Sequence, residues 1–236
     1  MLLTRPISAV HDATPRARIV HIDLHGTPFP FEPGQAIWLG THGQEVRRPY
    51  SIAVSPDDVK RDGRLELLVG IDTAGDAGPH LRLEAGALVD LDGPFGGFTF
   101  PGHPSERRFL FIAGGTGIAP LRSMIRYALG LPHDAVGVMY SARSPEEFAY
   151  ASELQALADA GTIELRMTVT RGVSGNWSGT RGRIARADLQ PLVHDGRTLC
   201  FVCGPPALVE EMPRLLEELG VARQCVRTEE WSEAQR

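Results

Sequence analysis

Three short stretches of this chain carry residue types that could do chemistry. Phe109 to Met124, FLFIAGGTGIAPLRSM, runs a hydrophobic segment into glycines and then a helical pattern. Strand, glycine turn and helix together present unpaired backbone N–H groups and the positive end of a helix dipole to an anion. Gly114, Gly115 and Gly117 have no Cβ to hold a pyrophosphate off the backbone, Thr116 adds a hydroxyl, and Pro120 suits a first helical turn. A dinucleotide is the natural ligand, and a tight turn that serves only packing is the alternative. The spacing is G-G-T-G-x-x-P and not G-x-G-x-x-G, and no acid stands about 20 residues further on at the end of the second strand, where a Rossmann ribose partner would be.

In Arg48-Pro49-Tyr50-Ser51 a cation for phosphate, a flat ring for stacking and a hydroxyl for a heteroatom fall within four residues. On an alternating strand Arg48 and Tyr50 share a face. Cys203-Gly204-Pro205-Pro206 ends an apolar run and opens a helical one, which places a thiol at the carboxyl edge of a sheet, where ligands bind in open α/β folds.

Two kinds of patterning must position these stretches. Up to about residue 100 the apolar period is two: Val20, Ile22 and Leu24 alternate with His21, Asp23 and His25, and Leu65, Leu67, Val69 and Ile71 repeat the pattern. Turn signals at His25-Gly26-Thr27-Pro28, Pro33-Gly34 and Asp92-Gly93-Pro94 separate the runs, as in an antiparallel barrel or sandwich. His21 and His25 have the i, i+4 spacing of some zinc sites, but on a strand they fall opposite Val20, Ile22 and Leu24, on what reads as a solvated face.

After Pro101-Gly102-His103-Pro104-Ser105, continuous apolar runs at Phe109–Ala113, Val136–Tyr140 and Leu199–Val202 alternate with helical patterns, as in a parallel sheet covered on both faces. One helix carries Leu121, Met124, Ile125, Ala128 and Leu129; another carries Leu208, Met212, Leu215, Leu216 and Leu219, with Pro213 expected to kink or split it. Ala151–Ala160 reads as helix and Ile163–Val169 as a more exposed strand. The expected architecture is an antiparallel β domain over residues 1–101 and a parallel α/β domain over 105–236.

Composition narrows the function. The 236 residues carry a net charge of −5, with no basic footprint for nucleic acid. No apolar span approaches the roughly 20 residues of a membrane helix. Three cysteines (Cys200, Cys203, Cys225) are too few for a disulfide framework or a four-cysteine iron–sulfur cluster. A cytoplasmic location is expected. No metal site is discernible.

In chain order R-P-Y-S (Arg48–Ser51), G-P-F-G (Gly93–Gly96), G-G-T-G-I-A-P (Gly114–Pro120) and C-G-P-P (Cys203–Pro206), with P-G-Q at Pro33–Gln35, resemble the ferredoxin–NADP reductase superfamily of flavoprotein reductases across nearly the whole chain. The resemblance implies a Greek-key β-barrel that binds flavin, followed by a Rossmann-like domain that binds NAD(P). It implies that Arg48 meets flavin phosphate, that Tyr50, beside Pro49, packs on the isoalloxazine, and that Ser51 bonds near N5. Gly114, Gly115, Thr116, Gly117 and Pro120 would cradle the nicotinamide dinucleotide, and Cys203, with Gly204 and Pro205, would lie beside the nicotinamide. Arg227-Thr228-Glu229-Glu230-Trp231 resembles the family's terminal strand, whose acid (Glu229) and aromatic (Trp231) approach the flavin, Trp231 as a movable cover.

Gly75-Asp76-Ala77-Gly78-Pro79-His80-Leu81 departs from the family's G-x-x-S-x-x-L: Gly78 offers a backbone N–H where relatives have a hydroxyl, and Asp76 adds an unhelpful charge. FAD, or FMN, is the implied flavin. Arg143, Arg171 and Arg183 resemble positions that meet the 2′-phosphate in NADPH-using relatives, which favours NADPH over NADH. The leading expectation is a reductase passing electrons from NAD(P)H through FAD to a separate carrier such as a ferredoxin, an oxygenase component or a cytochrome. A reductase of diffusing flavin is the second reading, and a non-catalytic nucleotide- or flavin-binding module the third.

Overall fold

The computed structural model describes residues 1–171 and 177–230. The first half forms six antiparallel strands: β1 (Leu2–Thr14), β2 (Ala17–Asp23), β3 (Ala36–Thr41), β4 (Arg48–Ser51), then after helix α1 (Pro56–Asp62), β5 (Arg64–Gly70) and β6 (Leu88–Phe95). Their order is β4-β3-β6-β1-β2-β5, and an antiparallel bridge from Ile52 to Leu67 brings the two edges together, closing the barrel. The chain leaves β5 at one edge and inserts β6 between β3 and β1, a Greek-key connection. The alternating residues Val20, Ile22, Leu24, Leu65, Leu67 and Val69 are buried inside with Ile37, Leu39, Val89 and Leu91.

The second half builds a parallel sheet from β7 (Arg108–Gly114), α2 (Ile118–Ala128), β8 (Ala135–Ala142), α3 (Ala151–Asp159), β9 (Glu164–Val169), β10 (Thr180–Arg181), α4 (Arg186–Leu189), β11 (Leu199–Gly204), α5 (Pro206–Glu218) and β12 (Val226–Glu230). Strand order β10-β9-β8-β7-β11-β12 means that the chain winds outward from β7 and then returns to its other flank. The reversal opens a crevice at the carboxyl ends of β7 and β11. Phe109, Phe111 and Phe201 pack on one face of the sheet, and Leu110, Ile112, Cys200 and Val202 on the other, which is why these runs are continuously apolar. Helix α5 is not split at Pro213: it runs unbroken from Pro206 to Glu218, held by Met212, Leu215 and Leu216 against the sheet.

The face of β2 and β5 that reads as solvated is covered by the second half, so His21 is a correction. Ala17 and Leu68, on that face, belong to the same buried cluster as α2 and β7. His21 Nε2 lies 3.1 Å from Glu66 Oε2, while His25 is exposed. Arg122 of α2 is 7% exposed and donates to Glu66 and Glu153, each at 2.8 Å, and to the Ala53 carbonyl at 2.5 Å. Its guanidinium lies 4.2 Å from the centroid of the Tyr150 ring. Arg126 bridges Asp58 (2.6 Å) and Glu153 (2.7 Å), and Ser123 donates to the Val54 carbonyl at 2.7 Å. Burial opposes ionisation of Asp58, yet the hydrogen bonds from Arg126, Ser55 and Arg61 hold its carboxyl well below the usual range. The two halves are therefore joined by apolar burial and by a paired ionic network.

No helix among the described residues is long and apolar enough to cross a membrane.

Candidate functional site

Two cavities open where the halves meet the carboxyl edge of the parallel sheet. The larger, about 580 Å³, has Gly114, Gly115 and Thr116 in its wall with Arg143, Arg171 and Arg183. The smaller, about 360 Å³, is walled by Arg48, Pro49, Tyr50 and Ser51 of β4 together with Gly117, Pro120, Cys203 and Glu229. Thr116 belongs to both walls. Its Oγ1 is buried with no hydrogen-bond partner among the described residues.

The glycine turn is what lets the cavities touch. A Cβ on Gly117 would stand 2.4 Å from the Cys203 carbonyl oxygen, and one on Gly114 would stand 2.8 Å from Pro205 Cδ. Neither strand end could approach the other with a side chain there. Gly115 differs: its φ of +56° is left-handed, and the space before it is open. A ligand phosphate can occupy that space, close to the N-terminus of α2. The glycine motif is thus divided, Gly114 and Gly115 serving the larger cavity and Gly117 and Pro120 the smaller.

In the smaller cavity the Tyr50 hydroxyl is 2.8 Å from His80 Nε2, and the two rings lie within 13° of parallel. His80 is 1% exposed; burial, aided by Arg48, keeps its imidazole neutral by lowering its pKa. Trp38 of β3, 43% exposed, stacks on Phe95 at 5.3 Å, forming a flat wall beside Pro49. The Cys203 thiol donates to Glu229 Oε2 at 3.9 Å. Burial pushes that thiol far above its ordinary pKa, so it remains a neutral thiol and not a nucleophilic thiolate. Burial likewise pushes Glu229 up to about 7, against the opposing effect of the Cys203 hydrogen bond.

Most of the residues marked by the sequence come together in these walls. Pro205 joins the larger cavity, whereas Gly204 packs against Gly114 behind it. Gly78 lines neither cavity; its neighbour Ala77 does, and Asp76 is exposed and away from both walls. Trp231 lies outside the described residues. Two acids that the sequence left unmarked, Glu147 and Glu211, also line the larger cavity. They are brought there by a turn after β8 and by the second turn of α5, at spacings that no Rossmann pattern marks. Trp38, His80 and Arg16 of the β1–β2 turn also went unmarked. The signal for Trp38 was an indole on the outward register of a strand otherwise alternating with Ile37 and Leu39.

The cavities fit a flavin and a dinucleotide on this chain's own features. The larger combines several arginines, open backbone at Gly115 and an unpartnered buried hydroxyl. The smaller combines one cation, a hydroxyl and flat rings.

Comparison with known proteins agrees. The family described as the oxidoreductase NAD-binding domain matches residues 111–213. The chain is 36% identical to ferredoxin–NADP reductase B of Sorangium cellulosum, over 94% of this chain and 95% of that protein. It is also 36% identical to methane monooxygenase component C of Methylosinus trichosporium, over 68% of this chain but only 47% of that protein, so it spans about half of that relative. Among solved structures, the cytochrome P450 reductase of Amycolatopsis superimposes with a TM-score of 0.83 at 27% identity, over 99% of this chain and 71% of that one. Fold, crevice and glycine turn define a nicotinamide-dinucleotide-linked oxidoreductase. The chain belongs to the ferredoxin–NADP reductase family.

Proposed function

We propose that this protein is an NAD(P)H-dependent flavoprotein reductase that holds FAD in the smaller cavity, NAD(P)H in the larger, and serves a separate electron-acceptor protein. The observation that carries the reading is the shared wall: Thr116 lines both cavities, with Gly115 beside it in the larger and Gly117 in the smaller, so groups bound in the two would lie on either side of one residue. When bound, the dinucleotide and the flavin supply the chemistry, hydride transfer and onward electron release.

The chain's own contribution is placement. Arg48 meets the flavin phosphate, Tyr50 and Pro49 flank the ring system, and the Ser51 hydroxyl bonds a ring heteroatom. Gly114, Gly115 and Thr116 hold the pyrophosphate of the nucleotide. Arg143, Arg171 and Arg183 favour NADPH through its 2′-phosphate. Cys203 stands at the junction as a neutral thiol, and Glu229, titrating near neutrality, can hold or release a proton beside it.

The acceptor is a separate protein by likeness to the ferredoxin–NADP reductase and methane monooxygenase component above; a ferredoxin, an oxygenase component and a cytochrome are the candidates. With three cysteines and a paired interior, the protein is assigned to the reducing cytoplasm.

The test is the visible spectrum of the purified, desalted protein before and after anaerobic addition of NADPH or NADH. A retained flavin spectrum that bleaches, faster with NADPH, is the expected result. A colourless protein that reduces added flavin would replace this reading with a reductase of diffusing flavin, for which the missing hydroxyl at Gly78 is the supporting observation. Binding of nucleotide without any flavin reduction would leave a non-catalytic module.

A further inference from the structure

The β1–β2 turn of the barrel reaches across to the nucleotide side. Arg16 is fixed in that turn by two backbone bonds: its N–H donates to Thr14 Oγ1 at 3.2 Å, and its carbonyl accepts from Ile71 N–H at 2.9 Å. Its guanidinium pairs through Nη2 with Glu147, in the turn Pro145–Glu147 after β8. The two side chains are 32% and 20% exposed. Both line the larger cavity, which also holds Arg143, Arg171, Arg183 and Glu211. The barrel half, which also lends Thr14 and Ala17 to this wall, thus supplies one of its four arginines, and that arginine is paired with an acid.

We propose that Arg16 sets the preference of this cavity between NADPH and NADH by neutralising Glu147. The inference rests on the larger cavity being the nucleotide site. A free carboxylate in this wall acts twice against NADPH: it repels a 2′-phosphate, and it accepts hydrogen bonds from the ribose hydroxyls that NADH retains. Pairing opposes both effects, because the charge of Glu147 is offset and its Oε2 is engaged by the guanidinium. Arg171 and Arg183, in the same wall, are cations that a 2′-phosphate would meet. Arg16 is a positioning residue, acting through Glu147.

Calorimetric Kd values for NADP+ and NAD+ test this on the full-length protein without depending on turnover. In Arg16→Gln the ratio of NADP+ to NAD+ affinity falls about tenfold, as expected for one carboxylate uncovered near a phosphate. Arg16→Lys, which keeps the charge, stays within about threefold of the parent ratio. Glu147→Gln raises the ratio, and Arg16→Gln combined with Glu147→Gln restores it at least to the parent value. Losing a tie between the halves would weaken both nucleotides alike and leave the ratio still. An unchanged ratio in Arg16→Gln, or a double variant no better than Arg16→Gln, overturns the proposal. If Arg16→Gln does not fold, an unchanged ratio in Glu147→Gln overturns it instead. A protein that binds both nucleotides yet reduces no flavin would defeat the proposed function while leaving this inference standing; one that binds neither defeats both.

Discussion

The two cavities share one wall and are built on opposite principles. The smaller is bordered by strands of an antiparallel sheet, and its wall includes residues of two part-buried pairs, Tyr50 with His80 and Cys203 with Glu229. The larger is rimmed by turns at the carboxyl edge of a parallel sheet, and its arginines converge from four separate segments, at 16, 143, 171 and 183. The first presents flat rings on a sheet face. The second draws its charge from turns far apart in sequence. Under the proposed function the first would suit a cofactor that stays through every turnover and the second one that leaves.

The largest expected effect comes from breaking what the cavities have in common, the interface that sets their separation. Arg122→Ala removes a buried guanidinium and strands Glu66, whose carboxylate is held below its usual pKa, against the cost of burial, by His21 and Arg122. Breaking a buried pair in this way costs about 3–5 kcal/mol. The expected outcome is a marked fall in the denaturant midpoint, with barrel and α/β halves unfolding in separate steps by flavin fluorescence and far-UV dichroism. A single coincident transition at the parent midpoint would show that apolar burial alone joins the halves.

Next is the shared wall. In Gly117→Ala the new methyl meets the Cys203 carbonyl at 2.4 Å and the Gly204 nitrogen at 2.9 Å, both backbone atoms that cannot swing aside. We expect a loss of about 2–3 kcal/mol in stability and flavin reduction slowed more than tenfold on the order of magnitude set by small misplacement of reacting groups. Gly115→Ala meets nothing and bears only the left-handed penalty, about 1 kcal/mol. Thermal melts with single-turnover reduction distinguish the two.

These residues also show how far the sequence carries. The strand–glycine–helix run, R-P-Y-S and C-G-P-P were legible because each is written in consecutive residues, and each contributes to a cavity wall; the change from period two to continuous apolar runs separated barrel from parallel sheet. The face of β2 was misread because alternation reports only that one side is buried. Ala17, Ile19 and Leu68 beside His21 and Glu66 are the trace that the other side is covered too. Arg16 and Glu147 were beyond reach, since 131 positions separate them and neither stands in a motif. Pairing of that kind is a property of the packed halves.

A smaller effect sharpens the contrast through pH. Glu229 binds its proton up to about pH 7 when folded, whereas its ordinary value is 4.5. Between these values the folded state holds more protons than the unfolded one, so this group's contribution falls as pH rises from 4.5 to 7 and stays low above that. Glu229→Gln should therefore stabilise the protein by about 2 kcal/mol at pH 8 and leave it nearly unchanged at pH 4.5. Denaturant titrations at the two values check the sign. The effect belongs to the smaller cavity, where Glu229 and Cys203 stand together.

The smallest expected effect concerns the pair behind the flavin wall. Tyr50→Phe keeps the ring and its near-parallel stacking on His80 but deletes the hydroxyl 2.8 Å from Nε2. His80 already has Nδ1 unpartnered among the described residues, so the variant leaves a 1%-exposed imidazole without either of these bonds. A buried group that loses its partner costs about 1 kcal/mol or somewhat more. With the bond between Tyr50 and His80 lost, flavin should dissociate about fivefold faster, while NADP+ affinity measured on the flavin-free protein stays at the parent value. Release of flavin followed by fluorescence, beside nucleotide calorimetry, reads both. Equal weakening of the two ligands would mean that the cavities are mechanically one site, and that the division between flat rings on a sheet face and charge drawn from turns does not govern binding.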